Sequence, residues 1–178
     1  YGGQKFLTKH ANYREFLKVA SPEQRTYFAF SGIRNPLDEA VSNYVKLRTN
    51  PNNIYTDPQP WMTPRLIRRY QWVSRRNATF SEYLHRFYFL PHETWSSLDH
   101  KQLDYVYHLE TVADDFAEIL QRIGLDPVRP LPLKHRTAGK ESWQSYYTPD
   151  TYARARFVFG PKMDEWGYAF PEEWDVGP

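Results

Sequence analysis

The sequence predicts a helix-rich α/β fold, and two strand–turn–helix units carry that prediction. In the first, Tyr27–Ile33 is a short apolar run with aromatic and β-branched residues, the profile of a buried strand. Arg34-Asn35-Pro36 breaks it. Pro36 suits the first turn of a helix, and Asp38 and Glu39 place negative charge where the helix dipole favours it. In the second unit, Asp104–Leu109 (DYVYHL) has strand character, and Glu110-Thr111 leads directly into an amphipathic helix. These are the only two convincing strands, too few for a complete doubly wound sheet.

At 178 residues the chain has the size of a single domain, 1–178, with room for a sizeable core. Its 14 Tyr and 6 Trp point to a core and clefts lined with rings. A net charge of +2 is too mild to argue for nucleic acid, so any anion site is local. The absence of Cys removes disulfides, zinc–thiolate sites and cysteine nucleophiles together, and leans toward a cytoplasmic protein. No apolar run reaches transmembrane length, and no signal peptide opens the chain. Tyr1-Gly2-Gly3, with no initiator Met, has the look of a cut end.

Taken in order, Asn12 caps a short helix with Phe16, Leu17 and Val19 on its apolar side, ended by Ser21-Pro22. In the helix after Pro36, Ala40, Val41, Tyr44, Val45 and Arg48 recur at helical spacing. Arg34 then sits at a strand's carboxyl end, where ligands bind in open α/β sheets, beside helix N–H groups that suit a phosphate. The turn formers of Arg48–Asn53 and Asp57–Pro60 predict a long loop of the substrate-facing kind. Residues 63–76 predict a helix capped by Thr63, with Pro64 at its first position and Arg65, Arg68, Arg69, Arg75 and Arg76 along it. That stripe suits a sulfated or carboxylated glycan; it equally fits a solvated helix face, the commoner use of a charge run.

Asn77-Ala78-Thr79 has the form of a glycosylation acceptor, meaningful only in a secreted chain. Thr79–Phe89 predicts a further helix with Phe80, Tyr83, Leu84 and Phe87 on one side. His85, His92, His100 and His108 follow no usual metal-ligand spacing. Thr111 with Asp114 predicts a shortened capping box, and Val112, Phe116, Ile119, Leu120 and Ile123 continue at helical spacing until Gly124 closes the helix. Asp126–Gln144 is Pro-rich and then basic, with Lys134, His135, Arg136 and Lys140. Thr148 and Pro149 open a last helix that reaches Phe159 before Gly160-Pro161 interrupts it, and Trp166–Pro171 packs a run of rings.

Arg34-Asn35-Pro36 with Ser42 in the next helix resembles the 3′-phosphate-binding signature of sulfotransferases, in which a strand-end Arg and a helix Ser hold the 3′-phosphate of 3′-phosphoadenosine 5′-phosphosulfate (PAPS). Glu39 departs from the pattern, standing where these proteins often carry a second Arg. Leu109-Glu110-Thr111, Asp115-Phe116 and Ile123-Gly124-Leu125 resemble the family's downstream segment, with Glu110 either structural or orienting a substrate. Arg136-Thr-Ala-Gly139-Lys140-Glu-Ser-Trp143 distantly resembles the basic loop that folds over the nucleotide; a solvated loop is the alternative for Arg136. Gly167-Tyr168-Ala-Phe170-Pro171 resembles the family's closing segment. His10, ahead of the helix leading to the Arg34 strand, resembles the base of glycan-modifying members, including the uronosyl 2-O type; a helix-flanking residue without a role is its alternative.

The resemblance spans about Lys9 to Trp174. It implies a P-loop-NTPase-like sulfotransferase fold, here without the N-terminal strand and the Lys-containing phosphosulfate loop, so that the chain reads as the C-terminal part of a longer protein. It implies PAPS as co-substrate, no metal, and transfer of a sulfuryl group to an acceptor hydroxyl, most naturally on a carbohydrate, acidic ones included. Arg34, Ser42 and Arg136 would bind the nucleotide, and His10 would take the acceptor's proton. A Golgi lumen replaces the cytoplasm if the source is eukaryotic and a membrane anchor has been removed. The alternative is a non-catalytic anion- or glycan-binding module on the same scaffold. A nucleotide kinase would need a Walker-type loop, which this sequence lacks.

Overall fold

The computed structural model describes residues 11–57, 60, 62–92, 100–132, 137 and 139–175. It is a helix-rich α/β structure whose backbone contacts form two compact units, Tyr1–Arg34 with Glu93–Pro132 and Asn35–His92 with Leu133–Pro178.

The first unit holds α1 (Tyr13–Val19), β1 (Phe30–Ile33), β2 (Tyr105–His108) and α5 (Val112–Arg122). Asn12 caps α1 as its sequence predicts: its side chain accepts from the Glu15 amide at 2.9 Å, and Glu15 accepts from the Asn12 amide at 3.0 Å. The strands pair in parallel, Phe30 opposite Tyr105 through Ile33 opposite His108. Asp104 sets that register from one end, its amide donating to the Ala29 carbonyl at 2.9 Å and its carboxylate accepting from the Ala29 amide at 2.8 Å. β1 is shorter and less buried than Tyr27–Ile33 predicts. Tyr27 precedes the paired register and is 57% exposed, and Phe30 is itself exposed.

Helix α5 is fastened to β2 through one carboxylate. Asp115 accepts from the Thr111 hydroxyl at 2.7 Å, the Tyr105 hydroxyl at 3.0 Å and the His108 amide at 3.1 Å. The expected Thr111–Asp114 box does not form, because the Thr111 hydroxyl is spent on Asp115. Those bonds, the Thr111 one foremost, hold the Asp115 carboxyl below its ordinary range. Burial and the two acidic acceptors push the Tyr105 phenol up to about 12. Gly124, at φ +73°, closes α5: Leu125 donates to Leu120 at 2.9 Å and Gly124 to Gln121 at 3.1 Å, the paired bonds of a Schellman motif.

The second unit packs α2 (Pro36–Thr49), α3 (Pro64–Arg76), α4 (Phe80–Phe87) and α6 (Pro149–Glu165) around one core. Each helix starts on a side-chain cap. Asn35 accepts from the Leu37 amide at 2.9 Å, Thr63 from Leu66 at 3.2 Å and Thr79 from Glu82 at 3.2 Å, while the Thr148 amide donates to Thr151 at 3.0 Å. Tyr44, Phe80, Tyr83 and Tyr147 meet edge-on or tilted in the interior, with Phe80 and Tyr147 centroids 4.8 Å apart. The Asn77-Ala78-Thr79 triplet serves the α3–α4 junction. Asn77 takes the left-handed C-cap position and accepts from Arg48, Ala78 is buried, and Thr79 begins α4.

Helix α6 runs on through Gly160-Pro161 to Glu165, where the sequence predicts a break at Phe159. An interior proline costs about 3 kcal/mol. Full burial of Val158, Phe159 and Met163 contributes on the order of 1.5–3 kcal/mol each and outweighs it. Pro161 and Phe157, whose carbonyl loses its partner to the proline, both lie on the exposed side of α6.

Gly32 faces the ring of its register partner Tyr107 so closely that an added Cβ would overlap ring atoms. Gly32→Ala should destabilise the protein by about 1–3 kcal/mol, read by urea unfolding, and Tyr107→Ala should remove most of that penalty. His92 is wedged between Tyr88 and Phe159, with its amide donating to Val158 at 2.8 Å. Burial, then the charges of Arg69 and Lys162, hold its imidazole below the ordinary range. The unfolded chain therefore takes up a proton near pH ~6.5 that the folded chain refuses. Stability should fall as pH drops below about 6.5, and His92→Phe should flatten that part of a melting-temperature profile against pH.

Candidate functional site

The candidate site is built on the first two turns of α2. Asn35 and Pro36 start the helix, and Leu37, Ala40, Val41 and Tyr44 bury one side of it. Asp38 and Ser42 stand one turn apart on a neighbouring side, the spacing at which two helical side chains share a partner. That partner is Lys140. Its ammonium is paired with the Asp38 carboxylate and donates to the Ser42 hydroxyl at 3.3 Å.

The chain brings Lys140 there through the residues that follow it. Gly139, at φ +69°, turns the loop, and the Lys140 amide donates to the Thr137 carbonyl at 3.4 Å. A short 3-10 turn, Trp143–Tyr146, then lays rings on the core against α2. Tyr147, 4% exposed, donates its hydroxyl to the Leu37 carbonyl at 3.1 Å. Burial pushes this phenol well above its ordinary range, helped by Tyr88 and Asp38, so it stays a neutral donor.

The Asp38 and Lys140 side chains are 16% and 15% exposed and Ser42 is buried, so salt screens this cluster less than an open surface pair. Asp38 also lies in the first turn of α2, where the helix dipole favours its charge. An ammonium has three donors, and two of them here serve Asp38 and Ser42. Ser42 and Lys140 offer hydroxyl and ammonium groups to an anion, which would have to compete with the Asp38 carboxylate.

Of the residues singled out in the sequence, Ser42 is at the centre of this cluster. Arg34 is half-buried and closes the first unit at the end of β1, whereas Ser42 belongs to the second. His10 and Arg136 lie outside the described residues. Glu110 is exposed in the 3-10 turn Leu109–Thr111. In the sequence Lys140 is one cation of a basic loop and Asp38 an acidic residue placed on the helix dipole, and nothing local pairs them. Trp143 and Tyr147, apolar anchors soon after Lys140, were the available signal that this end of the basic loop is pinned down.

Among the described residues no group of His, Asp or Glu is arranged to hold a metal, and no helix is long and apolar enough to cross a membrane. No protein-family model matches the chain, and no curated protein or solved structure matches it either.

Tyr147→Phe removes the tether between the Lys140 segment and α2 and leaves a buried carbonyl with one partner fewer. Unfolding in urea should show a loss of about 1 kcal/mol, with little change in the near-ultraviolet signal of the folded state.

Proposed function

We propose that the protein is a PAPS-dependent sulfotransferase on a P-loop-NTPase-like scaffold, moving a sulfuryl group to an acceptor hydroxyl, most naturally on a carbohydrate. The observation that supports this best is the Lys140–Ser42 contact at 3.3 Å, with the Asp38 pair beside it. It joins the Ser of the segment resembling a 3′-phosphate signature to the segment resembling the nucleotide-covering basic loop, two stretches with nothing in their spacing to tie them.

In this reading Ser42 and Lys140 donate to the 3′-phosphate. Arg34, one residue ahead of the α2 cap in the chain, adds a guanidinium able to bind two phosphate oxygens at once. Arg136 is a further cationic contact. PAPS supplies the activated sulfuryl group. His10 takes the proton of the acceptor hydroxyl, a task for which an imidazole has a suitable pKa near neutrality. The cationic side chains offset the negative charge of the departing phosphate, so the proposal calls on no metal.

The test is calorimetric titration of adenosine 3′,5′-bisphosphate into the longest natural form of the protein. Wild type should bind, Arg34→Ala should lose roughly 30-fold in affinity, about 2 kcal/mol, and Lys140→Ala at least roughly tenfold. His10→Ala should leave this binding unchanged and abolish transfer from PAPS. If wild type shows no binding, the proposal fails and the non-catalytic anion- or glycan-binding module takes its place.

A further inference from the structure

A dense run of positive charge lies along α3. Arg65, Arg68, Arg69, Arg75 and Arg76 line one groove with Arg86 of α4, and the groove encloses about 490 Å³. From Arg65 to Arg76 the stripe runs about 16 Å along the helix axis. Its floor is the edge-on pair Trp72 and Phe87, ring centroids 5.3 Å apart.

Two of the guanidiniums are held in place by this floor. Arg69 lies over Phe87 at 4.8 Å and Arg76 over Trp72 at 5.7 Å. Arg65, Arg68, Arg75 and Arg86 are exposed, and among the described residues none of them is in an ion pair. Glu82, an opposing charge on which Arg76 acts, is engaged at the α4 cap, accepting from the Thr79 amide at 2.7 Å. Like charges one turn apart destabilise a helix by roughly 0.2–0.5 kcal/mol a pair, and a bound anion relieves that cost.

We infer that this groove binds a linear acidic polysaccharide, recognised through its sulfate or carboxylate groups. A compact anion would engage one or two of the arginines, whereas a stripe about 16 Å long matches a chain bearing anions at intervals. Arg69 and Arg76 each lie over one of the two floor rings, Phe87 and Trp72. The exposed Arg65, Arg68, Arg75 and Arg86 add planar bidentate donors, suited to sulfate and carboxylate oxygens. Single-stranded nucleic acid is bound largely by stacking its bases on open aromatic faces, and here an arginine lies over each of the two floor rings. The inference needs no sulfuryl transfer, and its test contains no nucleotide, so it stands or falls separately from the proposed activity.

The experiment is titration of a heparin-derived oligosaccharide into the full chain at physiological ionic strength, with a single-stranded oligothymidylate of equal charge beside it. The oligosaccharide should bind, with affinity falling as salt rises. Arg68→Ala/Arg75→Ala should weaken it about tenfold, and so should the independent pair Arg65→Ala/Arg86→Ala. Lys18→Ala/Lys46→Ala, equal in charge removed and distant in sequence from the groove, should leave it within a factor of about two. No binding by wild type overturns the inference. So does an equal loss in the lysine control, which makes the binding a matter of net charge, and so does oligothymidylate binding as tightly through the same arginines.

Discussion

The hydroxyl of Tyr147 sits in the interior of the second unit and donates to the Leu37 carbonyl, and the candidate site depends on that bond. The two residues are 110 positions apart. A buried phenol without an acceptor costs about 1–3 kcal/mol, so Tyr147 cannot slide along α2 without losing its partner. Fixing Tyr147 fixes the short turn before it, and that turn limits where Lys140 can reach. The cluster of Lys140, Asp38 and Ser42 is thus an outcome of core packing as much as of charge.

The same logic runs through the aromatic content of the unit. Tyr44, like Tyr147, is a buried ring with one polar atom, and its hydroxyl donates to the Ala78 carbonyl at 2.7 Å. That bond holds the α3–α4 junction to α2, where the left-handed Asn77 has already turned the chain. Tyrosines therefore do two jobs here. Their rings fill the interior through edge contacts, and their hydroxyls fix the junction and the loop that pure hydrocarbon packing would leave free to shift.

Most helices could be read from the sequence because caps and apolar spacing agree at their starts: Asn12, Thr63 and Thr79 stand where their side chains accept the first amides. The failures share a cause, since each is a place where a distant contact overrides a local rule. Pro161 stops a helix by local rules, yet buried Val158, Phe159 and Met163 carry α6 past it. Thr111 is a good cap by type, but Asp115 takes its hydroxyl. Tyr27 has strand character, but the register on β2 starts only at Phe30. Within the candidate site, the place of Ser42 after Arg34-Asn35-Pro36 was legible in the sequence. The Lys140–Asp38 pair was not, because its members are 102 residues apart and no local period relates them.

The second unit carries its positive charge in two physically different states. Lys140 is shielded, and its charge is already matched by Asp38, so an anion arriving there gains only the difference between its own interaction and the one it displaces. Such a site favours a ligand with several simultaneous contacts, since a single anionic group does no better than the resident carboxylate. Arg65, Arg68 and Arg75 of α3 are exposed and in no ion pair among the described residues, and an anion arriving there gains the full, though screened, attraction. Selectivity is therefore to be expected at α2 and electrostatic capture at α3. That division is what the two proposals require, one small, well-defined anion at α2 and one extended, repetitive one at α3.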